Sequence, residues 1–194
     1  MDHPRIVLAS TSPYRRALLA RLGLSFEVMA PDVDEAALQG ESARETALRL
    51  AQAKARSAAP FFPRALVIGS DQVAELDGAC LGKPGNHENA VAQLKDMRGK
   101  TVLFHTALAL LNTASGVMHS AESPTAVLFR NYDDRQVSRY LERERPYDCT
   151  GSAKIEGFGI VLVERVTGDD PTALIGLPLI QLVALLMKEG IAIV

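Results

Sequence analysis

The chain has 194 residues, 47% of them hydrophobic and 23% charged, a composition that excludes a disordered chain and suits a domain large enough to bury a core. Its formal net charge of -2 argues against a broad electrostatic footprint for nucleic acid or an anionic membrane, although a local basic pocket for a small anion stays open. Cys80 and Cys149 lie far apart without companions at ligand spacing, which excludes a disulfide framework and a structural zinc site.

Residues Met1 to Arg5 carry no apolar signal segment, so the expected location is the cytoplasm. Ile6, Val7 and Leu8 then form the continuous apolar run of a strand buried on both faces, and Ala9 leads it into Ser10, Thr11 and Ser12. Ser12 suits a helix N-cap and Pro13 the first helical position, with Leu18 and Leu22 recurring at helical spacing until Gly23. The first turn of this helix gathers free backbone N–H groups, hydroxyls and the guanidinium groups of Arg15 and Arg16, which is the chemistry of a phosphate site. A capped helix with two solvated arginines has the same pattern, and this stretch alone leaves both readings open.

Ser25 to Ala30 reads as a second strand, followed by the acidic loop Pro31 to Glu35. Asp34 and Glu35 are candidate oxygen ligands for a hard cation once a further carboxylate joins them. Ser42 and Glu45 make a capping box for a helix that runs to about Ala58 and is stopped by Pro60. Lys54 falls on its apolar stripe with Ala47, Leu50 and Ala51, while Arg49, Gln52 and Arg56 take the opposite face, so this lysine either meets a partner inside or snorkels. The apolar run Ala65 to Ile68 is expected to end in a second site-like turn, Gly69-Ser70-Asp71-Gln72. Val73 to Leu76 and Ala79 to Leu81 flank the hairpin signal Asp77-Gly78, which places Asp71 near a hairpin base. The loop Gly82 to Gly85 holds Lys83, expected to share a cleft with Asp71, and precedes a helix from about Asn86 to Met97 stopped by Gly99.

Thr101 to Leu111, Val117 to Ala121 and Thr125 to Arg130 read as strands of an antiparallel meander. A helix beginning at Asn131 or Asp133 and ending before Pro146 turns Val137, Tyr140 and Leu141 inward and leaves Arg139, Arg143 and Arg145 in solvent. Gly151 to Gly159 fits neither period and is expected to line a ligand, ahead of an apolar strand from Ile160 to Val163. The last element is a very apolar helix from Pro178 to Lys188, buried or subunit-facing. The run around it, Ala173 to Met187, is broken by Gly176, Pro178 and Gln181 and falls short of the roughly 20 residues of a membrane span, so no membrane partner is expected. Helices alternating with strands, then a meander, predict one α/β domain over residues 1–194, a mixed twisted sheet with flanking helices and two lobes around a cleft.

Five short motifs in this order resemble the Maf family of nucleoside triphosphate pyrophosphatases. They are Ser10-Thr11-Ser12-Pro13 with Arg15-Arg16, Gly69-Ser70-Asp71-Gln72-Val73, Gly82-Lys83-Pro84, Gly151-Ser152 with Ile155-Glu156-Gly157, and Gly176-Leu177-Pro178. The variant letters look like the 7-methyl-GTP branch of that family, with Ala153 standing where an aromatic is common. The resemblance implies a fold like that of inosine triphosphate pyrophosphatases, a homodimer, a divalent cation (magnesium or manganese), and hydrolysis of a nucleotide to its monophosphate and pyrophosphate. By that resemblance Asp71 is the proton acceptor; Ser10, Arg15, Arg16, Lys54 and Lys83 surround the phosphates; Glu35 joins Asp71 on the metal; and Tyr14, Gln72 and Glu156 select the base. A dTTP or UTP pyrophosphatase of the same family is the neighbouring reading. A nucleotide-binding regulator without turnover would not need the Glu35 and Asp71 pair, and an interaction protein linked to cell division would not need an inward lysine.

Overall fold

The computed structural model describes residues 4–193. The helices are α1 (Pro13–Ala20), α2 (Ala43–Ala58), α3 (His87–Met97), α4 (Asp134–Glu144) and α5 (Leu179–Lys188). The strands are β1 (Arg5–Ala9), β2 (Glu27–Met29), β3 (Ala65–Leu76), β4 (Ala79–Leu81), β5 (Thr101–Asn112), β6 (Met118–Phe129) and β7 (Val163–Thr167). Among the described residues the strands are hydrogen bonded in the order β2-β1-β3-β5-β6-β7, with β4 on β3. β1 runs parallel to β2 and β3, whereas β4 on β3 and β7 on β6 are antiparallel, so the sheet is mixed as expected. No helix among the described residues is long and apolar enough to cross a membrane.

The chain divides into two compact units that share the long strands β3, β5 and β6. The first holds the described residues up to Gln72, Thr106–Ser123 and everything from Asp170 onward. Its core is built on strand alternation: Ile6, Leu8, Leu66, Ile68, Leu108 and Leu110 meet α1 through Leu18 and Leu19 and α5 through Leu182, Leu185 and Leu186. The opposite face of β3 receives α2. A Cβ at Gly69 would stand 2.1 Å from the Ala51 carbonyl oxygen and 2.7 Å from the Ala55 nitrogen, so the helix backbone lies directly on this glycine. Ala47, Ala51, Ala55 and Ala58 are fully buried there, because only small side chains permit such an approach.

The second unit holds Val73–His105 and Pro124–Asp169. Asp77 and Gly78 both have positive φ, 51° and 84°, as a two-residue hairpin turn between β3 and β4 requires. α3 packs on α4, and the buried Tyr132 donates its hydroxyl to the Leu94 carbonyl at 2.6 Å. α4 begins with a reciprocal capping box between Asp133 and Gln136 and ends on Arg145 in the left-handed region.

Three expectations about elements change. The site-like turn at Gly69–Gln72 is uninterrupted strand, since Gly69 serves close approach to α2 and not a change of direction. The strands expected on either side of Pro124 are one strand, β6; Pro124 lies past Ala126↔Thr167, the terminal pairing with β7, where its missing N–H interrupts no ladder on that side. The strand expected at Ile160 to Val163 is a 3₁₀ turn over Phe158–Leu162, and the strand β7 follows it.

Candidate active site

The alternation along β3 sorts four consecutive residues onto two errands. Gly69 and Asp71 share the face covered by α2, while Ser70 and Gln72 point the other way, toward the turn Ala173–Gly176. Lys54 is on α2 one turn beyond Leu50, inside the buried stripe, and only 4% exposed. Its ammonium donates to Asp71 Oδ1 at 2.6 Å and pairs with Glu35 Oε1 at 2.5 Å. Asp71 is 7% exposed, whereas the Glu35 side chain is 56% exposed. The inward lysine therefore has its partners, and two carboxylates from distant segments converge on one cationic point.

Arg15 completes this charge cluster. It is half-buried on α1, and desolvation lowers its pKa, opposed by the negative charges of Asp71 and Glu35. Its Nε donates to the Gly176 carbonyl at 2.8 Å, leaving the terminal nitrogens as the further donors of the guanidinium. The same carbonyl accepts from Ser70 Oγ at 2.9 Å, and Gly176 itself has φ of +119°, a conformation open to glycine. Gln72 Nε2 lies within 2.9 Å of Thr106 Oγ1 and 3.1 Å of the carbonyl oxygens of Ala173 and Leu174. Its two amide hydrogens are thus committed within the protein, and its amide oxygen is the group left to meet a ligand.

Of the other anticipated phosphate ligands, Ser10 is buried, 3% exposed, and its Oγ accepts the Ser12 N–H at 3.1 Å, which keeps its own hydroxyl hydrogen for another acceptor. Ser12 caps α1 as expected, accepting from the Arg15 N–H. Tyr14 is half-buried in the first turn of α1. Arg16 is exposed and borders a depression with Ala20, Leu24, Ser25, Phe26 and Val28. Lys83 and Glu156 belong to the second unit, both exposed. The Gly82 carbonyl beside Lys83 accepts from the Gly151 N–H at 3.2 Å and from Gln93 Nε2 at 3.1 Å. Glu156 has a raised pKa, principally because the chain around its carboxyl removes solvent from it even though the residue as a whole is exposed.

Two supports of the site were absent from the sequence reading. Arg49, on the face opposite the apolar stripe, pairs with Glu41 through Nε at 2.6 Å and Nη2 at 2.8 Å and donates to the Ala36 carbonyl at 2.9 Å, tying the loop that carries Glu35 to α2. A fork-shaped pair of this kind spans eight residues and has no spacing signature. Asp170 accepts from the Thr172 N–H and hydroxyl and from the Ile180 N–H at 2.7 Å, capping α5 from a distance and fixing the turn that presents Gly176. Among the described residues no group of three or more His, Cys, Asp and Glu side chains is set to hold a metal. Glu35 and Asp71 remain a two-carboxylate donor set. Both already aim an oxygen at the Lys54 nitrogen, and magnesium-type sites need only one or two carboxylates beside water and substrate phosphates.

Comparison with known proteins adds to this geometry. A family model described as Maf-like protein matches residues 5–189. A Methylobacillus flagellatus protein named 7-methyl-GTP pyrophosphatase is 54% identical over 191 residues, 98% of this chain and 100% of the relative. Proteins of the same name are 57% identical in Polaromonas sp., over 97% of this chain and 86% of the relative, and 56% identical in Thiobacillus denitrificans, over 97% and 94%. Among solved structures the Staphylococcus aureus Ham1 protein matches at 16% identity and a TM-score of 0.48, covering 66% of this chain and 72% of that one.

Proposed function

The chain belongs to the Maf family, and on that premise we propose that it is a nucleoside triphosphate pyrophosphatase that hydrolyses 7-methyl-GTP to 7-methyl-GMP and pyrophosphate. The observation that carries the catalytic part is the cluster of Lys54 on α2, Asp71 on β3, Glu35 in the loop before α2 and Arg15 on α1, two cationic and two anionic side chains in one place. A triphosphate needs cations and N–H donors to offset its charge. Arg15, Arg16, Lys54, Lys83 and the Ser10 hydroxyl supply them, aided by the positive end of α1. Asp71 accepts the proton of the attacking water at its carboxylate, and no protein nucleophile is required. Glu35 and Asp71 would hold the divalent cation, magnesium or manganese, which would supply Lewis acidity to a water and to the phosphates. With both carboxylates engaged in that way, the Lys54 ammonium, which they now hold, would be available to the phosphates.

Base choice rests on Tyr14, Gln72 and Glu156. Methylation at the seven position makes guanine cationic, which favours stacking on an aromatic face such as Tyr14. The same charge strengthens the N1–H and exocyclic amine as donors, and a carboxylate at Glu156 accepts from both in a bidentate pair. With its amide hydrogens committed, Gln72 meets base or ribose through its oxygen only. The working form is a cytoplasmic homodimer; exposed Ile180 and Met187, seven residues apart on α5, support a covered face on that helix.

The test is pyrophosphate release from 7-methyl-GTP, GTP, dTTP and UTP with magnesium or manganese. The expected result is the highest kcat/KM for 7-methyl-GTP and none in chelator. A preference for dTTP or UTP would overturn the substrate, and full turnover in chelator would overturn the metal pair.

A further inference from the structure

Glu144, the last residue of α4, is wrapped by the loop that carries Glu156. Its Oε1 pairs with Lys154 Nζ at 2.8 Å, and its Oε2 accepts the Phe158 backbone N–H at 2.8 Å. Between them Gly157 passes so close that a Cβ there would lie 2.9 Å from Glu144 Oε1, so the glycine of the Ile155-Glu156-Gly157 motif answers to this carboxylate. The same helix holds the same loop twice more. Tyr140 donates its hydroxyl to the Ser152 carbonyl at 3.1 Å and accepts the Lys154 N–H at 3.0 Å, and the Arg143 guanidinium lies 4.0 Å over the Phe158 ring. The loop is thus anchored at 152, 154 and 158, with Gly157 packed close to the carboxylate. Glu156, in the middle, contributes to none of these anchors and is exposed.

We propose that Glu144 is a positioning residue for base recognition: by clamping residues 154–158 it presents the Glu156 carboxylate at a fixed place, so that selectivity for a cationic purine depends on a side chain that does not touch the nucleotide. This rests on the reading that Glu156 meets the base. The physical reason is preorganisation. A two-hydrogen-bond contact from a free loop must first order that loop, and the ordering cost comes out of the affinity for the one base that makes the contact. A glutamate is suited to the task because each oxygen serves a different donor, one charged and one from the backbone. Glutamine at 144 keeps the volume and the acceptor for Phe158 but brings an amide NH₂ toward Lys154 or loses the bond.

The experiment measures kcat/KM for 7-methyl-GTP and for dTTP in wild type, Glu144→Ala, Glu144→Gln, Glu156→Gln and the double variant Glu144→Ala/Glu156→Gln. The expected result is a fall of roughly tenfold in the 7-methyl-GTP to dTTP ratio in Glu144→Ala, seen mainly in KM, with a smaller fall in Glu144→Gln. In the Glu156→Gln background the further change at Glu144 should alter the ratio no more. If Glu144→Ala does not fold, Glu144→Gln and its double variant carry the same comparison. An unchanged ratio, a loss shared equally by both nucleotides, or additive losses in the double variant would overturn the clamp. If Glu156→Gln erodes the ratio and Glu144→Ala does not, the clamp alone fails; if Glu156→Gln leaves the ratio unchanged, the base reading fails and the clamp with it.

Discussion

Replacing Lys54 with methionine removes the ammonium that both Asp71 and Glu35 contact. Both carboxylate oxygens touch the same nitrogen, so they lie at most about 5 Å apart. At an effective dielectric of 20, two unit charges at that distance repel by about 3 kcal/mol. Breaking a buried pair by deleting one partner costs about 3–5 kcal/mol, but Glu35 is more than half exposed and water screens its share. The expected loss for Lys54→Met is therefore about 2–3 kcal/mol near pH 7, or roughly 5–10 °C in melting temperature for a chain of this length. The assay is thermal denaturation of wild type and variant at low ionic strength, repeated across a manganese or magnesium titration. A divalent ion should raise the melting temperature of the variant more than that of wild type, because in wild type it must first displace the ammonium. Turnover should fall by about one to three orders of magnitude. A melting temperature equal to or above wild type, with no larger metal response, would refute the placement of the two carboxylates around Lys54.

Asp71→Asn should abolish pyrophosphate release while nucleotide binding, followed by calorimetry or filter retention, survives; near wild-type turnover would remove Asp71 from proton transfer. Gly69→Ala forces a Cβ to within 2.1 Å of a backbone oxygen of α2, so α2 must retreat, and chemical denaturation should show a loss of about 3 kcal/mol or more; a loss under 1 kcal/mol would contradict the close approach. Glu41 has its pKa held down to about 2 from 4.5 by the hydrogen bond from Arg49, with Leu38 N–H and Thr46 assisting. A depressed carboxylate pKa means the unfolded chain binds the proton first, so its contribution is present above pH 4.5 and is lost as pH falls toward 2. Glu41→Gln should lower the melting temperature at pH 7 and flatten its decline between pH 4.5 and 2, and an unchanged slope would show that the Arg49 pair is not formed.

What the sequence made legible follows from how local each signal is. The caps Ser12 and Ser42 and the Asp77-Gly78 turn depend on neighbours within a few residues and stand where the sequence placed them, and of the two starts open for α4 the cap is Asp133. Gly69 was misread because a glycine reports only that a Cβ is unwelcome; whether a turn or a crossing helix excludes it depends on α2, packed from about 18 residues upstream. The same remoteness hides the supports of the site. Glu41 with Arg49, Asp170 with Ile180, and Glu144 with Lys154 are each ordinary surface letters until a loop closes over them. The inward position of Lys54 was legible from helical period, but its partners were not, because Asp71 is reached across the sheet face and Glu35 through an irregular loop. That arrangement has a consequence for function. A lysine already held by two carboxylates is a weakened phosphate ligand, and two carboxylates whose charge is partly offset by that lysine are a weakened metal site, so each role in the proposed reaction is favoured when the other is taken up. Nucleotide and divalent cation should therefore bind with positive cooperativity, each raising the affinity for the other by the same factor. In Lys54→Met that reciprocity should shrink, since the group that couples the two ligands is gone; calorimetric titration of nucleotide with and without manganese reads it directly, and an undiminished coupling in the variant would show that Lys54 does not link them.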